Sequence, residues 1–227
     1  MNLKEREFQE ISNSHWQFFG CFMQQNPNAV LSLNRLINNH NFKNIIELGT
    51  HDGGLSTLFA IYCFGSNFNA FASHANEPSL YKNKTHHKDP KKFYTFDIFL
   101  RDIPRIKLIT ELGAIFKQID FLNNVDHIEY VKSLISLPGK TLLLCDGGDK
   151  IKEFEIYSSS LKTGDIIMAH DWAKDEEAFN KIKDNNIWNC WESKWEGGIK
   201  ESCEKNNIRQ IYSEEFDSCV WFCGVKI

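Results

Sequence analysis

At 227 residues the chain is long enough for one substantial domain and short for two. Hydrophobic residues make up 42% and charged residues 25%, ordinary values for a globular protein in water. A formal net charge of -4 without a basic patch gives no electrostatic reason to expect nucleic acid as a partner.

The opening segment, MNLKEREFQE, is charged and lacks the apolar stretch of a signal peptide. No apolar run approaches the roughly eighteen residues of a membrane span, so no membrane partner is expected. The seven cysteines include no CxxC pair, and several sit inside apolar runs. They read as free thiols packed as small hydrophobes in a reducing cytoplasm.

Asn26-Pro27 reads as an N-cap followed by proline at the first helical position. Val30, Leu31, Leu33, Leu36 and Ile37 recur at helical spacing, so a helix spans about 27–39 inside an N-terminal helical segment 1–40. A strand follows at Asn44 to Leu48, then a turn through Gly49, Gly53 and Gly54, then a helix with Leu55, Leu58, Phe59 and Tyr62 on its apolar face. Residues 65–91 are polar, rich in Asn, Lys and His, and at 27 residues exceed an ordinary connection. They read as an inserted loop, with a lid and a plain surface excursion both open.

Strands are expected at 92–97 and 114–120, an amphipathic helix at 125–135, and a fully apolar strand in TLLLCD at 141–146. A helix from about 150 to 161 leads to the strand DIIMA at 165–169, which ends at His170-Asp171. Further helices are expected at 175–185 and in GGIKESCEKNN, before two closing strands in IRQIYSEEF and SCVWFCGVKI separated by a short turn. Alternating strands and helices imply one domain with a parallel sheet covered on both faces. Continuous apolar runs such as TLLLC suit its central strands. The closing pair has no helix between its members, so one of them should run against the rest.

In an open doubly wound sheet, ligands lie beyond the carboxyl ends of the strands, where strand order reverses. Five acids sit at five successive strand ends: Glu47, Asp97, Asp120, Asp146 and Asp171. They would repel one another unless cations, donors or hydroxyl-bearing ligands occupied that edge. The first loop reads Glu47-x-Gly49-x-x-x-Gly53, not the G-x-G-x-x-G of dinucleotide binders. A glycine directly after the strand permits close backbone approach, and the loop should present amide donors at a helix start. Asp97 is placed to accept hydrogen bonds from ribose hydroxyls.

This strand-end E-x-G-x-x-x-G followed by an acid resembles the first two motifs of class I S-adenosylmethionine-dependent methyltransferases. FFGCFMQQNPNAVLSLNRLI and NIIELGTHDGGLS resemble the start of the cephalosporin hydroxylase and rhamnosyl O-methyltransferase group. LLLCDGGDKIKEFEIYSSSLKTGDIIMAHDW resembles its second half. The likeness covers roughly 17–60 and 93–172, leaving 65–91 and the tail outside. It implies a doubly wound α/β fold, a mostly parallel seven-stranded sheet with an antiparallel C-terminal strand, Rossmann-like as in methyltransferases. It also implies S-adenosyl-L-methionine as cofactor, with Glu47, Gly49, Thr50, Gly53, Asp97, Asp120 and Asp146 as the binding residues. The implied activity is methyl transfer to a small-molecule hydroxyl, a sugar being the first candidate acceptor.

In that group and in catechol-type O-methyltransferases a divalent cation sits between the strand-four acid and two residues after strand five. The matching positions are Asp146, His170 and Asp171, where His170 departs from the group's usual acid or amide. Imidazole tilts the preference from Mg²⁺ towards Mn²⁺ or Fe²⁺, and His170 stands open as ligand or general base. Lys150, four residues past Asp146, is a second base candidate if its charge is suppressed. His51-Asp52, the group His74, His86 and His87, and Trp188, Trp191 and Trp195 are candidates of lower specificity, each with a surface or packing role open. A homo-oligomer is open as well. Two other functional readings remain, an NAD(P)-dependent oxidoreductase, which the loop spacing disfavours, and a catalytically inactive cofactor-binding partner protein, which Asp146 and Asp171 argue against.

Overall fold

The computed structural model describes residues 16–18, 21–23, 25–72, 91–100, 103–183 and 195–227. Strands β1 (Trp16–Phe18) and β2 (Cys21–Met23) pair antiparallel, so the N-terminal segment expected to be helical becomes so only at α1 (Pro27–Asn39). Proline cannot supply an interior N–H but fits the first turn, and the Asn26 side chain accepts the Asn28 N–H there. Ala29, Leu33, Leu36 and Ile37 form the face that α1 buries.

The strand β3 (Phe42–Leu48) leads through the glycine turn into α2 (Gly54–Ala72). The loop expected over 65–91 is therefore corrected, because 65–72 continue the helix. Phe64, Phe68 and Phe71 keep helical spacing through that polar stretch. The remainder of the insertion, with His74, His86 and His87, lies outside the described residues.

Strand β4 (Lys92–Asp97) has the expected bounds, and α3 (Ile103–Glu111) follows as a helix the sequence reading did not contain. It is short and carries Pro104 in its first turn, a residue more often read as a breaker. Strand β5 (Ile115–Gln118) is shorter than expected and ends two residues before Asp120. Then come α4 (Val125–Ile135), β6 (Lys140–Cys145), α5 (Lys150–Tyr157), β7 (Ile166–His170) and α6 (Glu176–Lys183). Trp188 and Trp191 lie outside the described residues. Residues 195–199 are irregular, with Glu196, Gly197 and Gly198 off helical geometry, and the expected helix is confined to α7 (Lys200–Lys205). The tail holds β8 (Ile208–Gln210), the helical turn α8 (Ser213–Phe216) and β9 (Trp221–Lys226). The connection between the closing strands is thus longer than a tight turn.

The sheet order is β5-β4-β3-β6-β7-β9-β8. All neighbours from β5 to β7 are parallel, while β9 runs antiparallel to both β7 and β8. A parallel dinucleotide-binding sheet has the order 3-2-1-4-5-6. Here a reversed strand is wedged between the fifth and sixth positions, as the expected antiparallel closing strand requires. Side chains alternate between two cores. Ile45, Leu142, Leu144 and Met168 face the side of α1 and α2. Ile46, Leu143, Cys145 and Ile167 face Val131 and Phe154 of α4 and α5. The five cysteines whose side chains are described are free and buried. Among the described residues no helix is long and apolar enough to cross a membrane.

Strand order reverses between β3 and β6, and there the loops leaving the two strands touch. Gly49 has a φ of +96°, and a Cβ built on it would lie 2.2 Å from the Asp146 carbonyl oxygen. Neither backbone can retreat without breaking the ladder that pairs Leu48 with Cys145. Gly49→Ala is expected to lower the unfolding free energy by about 3 kcal/mol, from overpacking plus the left-handed φ. Urea denaturation of the two proteins checks it.

Candidate functional site

On the β3–β4 flank the loop after β3 folds back over β4. The Gly49 and Thr50 amides both donate to the Phe96 carbonyl, at 2.8 and 3.1 Å. The His51 amide donates to Asp97 Oδ2 at 2.8 Å, and the Gly53 amide donates to the Thr50 carbonyl at 2.8 Å. The loop was expected to present amides to a ligand, and these four are spent inside the protein. Thr50 is buried, its hydroxyl 2.6 Å from that of Thr95. Asp97 is nearly buried and accepts a second amide, from Phe99, at 2.9 Å on Oδ1.

Glu47 is 1% exposed and lies beneath this loop rather than at its surface. The hydroxyls of Ser56 and Thr95 both donate to its Oε2. Burial pushes its pKa up to about 8, against the pull of those two hydroxyls, with Asp146 and Asp97 adding repulsion. As a direct cofactor contact Glu47 is therefore corrected: it carries the loop from below. Asp120 stays half-buried at the turn after β5. Its carboxylate accepts from the amides of Leu122 and Asn123 and from the Asn123 side chain, closing its own turn. The net effect of these bonds holds its pKa below the ordinary range despite an opposing burial contribution.

The β6–β7 flank is built differently. Asp146 follows β6, His170 ends β7, and Asp171 follows in the left-handed region at φ 56°. That conformation is costly for a non-glycine residue and sets both side chains of the pair toward Asp146. His170 Nδ1 lies 2.9 Å from Asp146 Oδ1 and 3.4 Å from Asp171 Oδ1. One ligand atom from each of the three lies within 4.8 Å of the others. That span is about twice a divalent metal–oxygen bond of 2.1–2.4 Å. Two carboxylates and an imidazole are a donor set that suits a divalent first-row ion.

Three neighbours that sequence reasoning did not assign complete the cluster. The Gln25 amide donates to Asp146 Oδ2 at 3.0 Å, and Gln25 Oε1 accepts the Trp221 indole N–H at 2.8 Å. The indole thereby fixes which way round the amide sits. The Trp221 ring also lies 4.8 Å from the His170 ring, centroid to centroid. Gln25 lies in the segment FFGCFMQQNPNAVLSLNRLI that carried the family resemblance, but nothing local showed where it would reach. Glu153, the third, is wholly buried beside the Asp146 turn.

Lys150 does not have a suppressed charge, and it is not a solvated first-turn residue. It is 4% exposed and its ammonium lies 2.7 Å from Asp171 Oδ2. Burial alone would lower its pKa, but Asp171 and Asp146 outweigh burial and push it up. The general-base role is thereby corrected, because the proton is held at the pH where a base must release it. Burial likewise pulls His170 down, and Asp146 and Asp171 reverse it to a raised pKa. Among the weaker candidates, His51 and Asp52 contact each other at 3.2 Å with Arg105 on Asp52 at 3.5 Å. Trp195 packs on Trp172 and Phe222, in the core.

A structure described as "CmcI-N160 apo-structure" aligns over 93% of this chain and 76% of its own, at TM-score 0.54 and 11% identity. Another, "cmcI-D160 Mg-SAM", aligns over 92% and 76% at TM-score 0.52 and 11% identity. The chain shares the doubly wound, Rossmann-like fold of these two structures. An O-methyltransferase from Bacillus cereus in complex with SAH aligns over 100% of this chain and 92% of its own, at the lower TM-score of 0.48 and 12% identity. No family model and no curated protein matches the chain. At these identities the likeness establishes the fold alone and leaves the chemistry to the residues.

The buried carboxyl of Glu47 has a pH signature. Its folded pKa of about 8 is raised above the value near 4.5 of the unfolded chain. The folded state therefore holds the extra proton between those values, and stability falls as pH rises through that window. Glu47→Gln keeps the acceptor and removes the titration. It should flatten the decline between pH 5 and pH 8 by on the order of 2 kcal/mol, read from denaturation midpoints at the two pH values.

Proposed function

We propose that this chain transfers a methyl group from S-adenosylmethionine to a hydroxyl of a small-molecule acceptor, a sugar being the first candidate. Asp146, His170 and Asp171 would hold a divalent cation. The observation that carries this reading is the meeting of two unlike flanks at one topological switch point. A loop braced by Asp97 touches, through Gly49, the turn that carries the convergent Asp146, His170 and Asp171. Ligands in open α/β sheets lie in that crevice.

The sulfonium of the cofactor supplies the methyl group on an intrinsically good leaving group. A cation held by the three ligands would lower the pKa of a neighbouring acceptor hydroxyl. The work left to the protein is alignment for in-line displacement. Asp97, each oxygen already fixed by one backbone amide, keeps lone pairs for ribose hydroxyls. The Gln25 and Trp221 pair holds the Asp146 carboxylate in a set rotation. His170 serves through Nδ1, the nitrogen that faces both carboxylates, which favours ligand over base. Imidazole in the set favours Mn²⁺ or Fe²⁺ over Mg²⁺.

A cavity of about 440 Å³ near the end of β7 is lined by Trp172, Ala173, Lys174, Ala178, Ser213, Glu214, Asp217 and Ser218, and by none of Asp146, His170 and Asp171. Asp217 Oδ1 accepts from the Trp172 indole and from Gln210, both at 2.9 Å, so the carboxylate is rigid.

Calorimetric titration of S-adenosylhomocysteine into the wild type, Asp97→Ala and Asp146→Ala tests the reading. Asp97→Ala should weaken binding at least tenfold, or about 1.4 kcal/mol. Asp146→Ala should leave that affinity nearly intact while abolishing metal-dependent transfer to glycoside acceptors. Absence of cofactor binding to the wild type would end the proposal.

A further inference from the structure

Glu153 is 0% exposed, and among the described residues neither of its carboxyl oxygens has a hydrogen-bond partner. A buried carboxyl without partners is costly and rare in a native interior. The surroundings nonetheless make room for it. A Cβ on Gly147 would lie 2.3 Å from Glu153 Oε1, so a glycine stands where any other side chain would evict the carboxyl. Burial pushes the group up to about 8, with Lys150 drawing it down and Asp146 repelling it. The amides of Gly147 and Asp149 favour the carboxylate without closing a hydrogen bond on either oxygen.

Three residues earlier on the same helix stands Lys150, whose ammonium occupies Asp171 Oδ2. Side chains three apart on a helix are neighbours. A divalent cation taking Asp171 as a ligand competes with that ammonium for the same carboxylate. A buried lysine expelled from its partner cannot stay charged and uncompensated, since a stranded buried charge is strongly destabilising.

We infer that Glu153 is the second seat of the Lys150 ammonium, taken when a divalent cation claims Asp171. The inference rests on the metal reading of Asp146, His170 and Asp171. Without the cation, Lys150 pairs with Asp171 and Glu153 keeps its proton. With the cation, Lys150 pairs with Glu153, and Glu153 gives its proton to solvent. The ion adds two positive charges, the departing proton removes one, and no bond other than that O–H breaks. Lys150 stays protonated throughout, as its two acidic neighbours require, so Glu153 is a positioning residue rather than a catalytic one.

The test uses Mn²⁺ alone as the probe, titrated by calorimetry at pH 7 in two buffers of different ionisation enthalpy. That pair of measurements counts the protons released per ion bound. Wild type is compared with Glu153→Gln and with Glu153→Met, the latter replacing an unsatisfied carboxyl by an apolar group of similar length, so that no buried polar atom is left without a partner there. Protons leaving the ligands themselves are common to all three proteins. Wild type should release about one proton more than either variant, and both variants should bind Mn²⁺ about tenfold more weakly. Equal proton counts overturn the inference and leave the metal site standing. Failure of the wild type to bind Mn²⁺ overturns the metal reading and this inference with it.

Discussion

Carboxylates crowded along one sheet edge repel each other, and everything else in this molecule is arranged around their separate neutralisation. Glu47 is covered and met by two hydroxyls. Asp97 is met by backbone amides from both sides of the loop. Asp120 turns back on its own amides. Asp171 takes an ammonium. Asp146 takes an amide and an imidazole. The crowding therefore needs no ligand to be tolerable, which removes one argument from charge alone. What it leaves is a difference in kind between the acids. Glu47 is closed off within the protein and Asp120 is held by its own turn, whereas Asp146, His170 and Asp171 converge on a common point.

That difference follows from the topology. At the switch point the chains leaving β3 and β6 turn toward opposite faces, and only a residue without a side chain lets them pass so closely. The loop after β3 is drawn onto β4 by the Phe96 carbonyl, which consumes the amides that a phosphate-binding turn would offer. On the proposed reading, recognition on this flank would fall to Asp97. A cofactor carrying a ribose and a sulfonium, with no phosphate to cradle, suits a loop whose amides are already committed.

The β6–β7 flank depends on parts of the chain that arrive from far away. Gln25 precedes the first helix and Trp221 opens the last strand, 196 positions apart, yet they share a hydrogen bond above Asp146. The reversed strand β9 makes this possible, since only an antiparallel neighbour brings its start beside the end of β7, pairing Trp221 with His170. The strand that distinguishes this sheet from a wholly parallel one is thus also the strand that walls the candidate site.

Local chemistry was legible in the sequence wherever neighbours in the chain decide the outcome. Asn26-Pro27 starts a helix because the cap and the missing N–H act within three residues, and β4, α4 and the acids after β6 and β7 follow from equally short patterns. The parallel sheet and its single reversed strand followed from the order of elements. Where the outcome hangs on a distant partner, spacing was silent or misleading. Lys150 looks like a solvated lysine until Asp171, 21 positions on, is folded against it. Glu47 looks like a strand-end ligand until Ser56 and Thr95 close over it. The glycine loop looks like a row of free donors until the Phe96 carbonyl takes them. Charge state, burial and donor availability are properties of the surroundings, and only the tertiary structure supplies those.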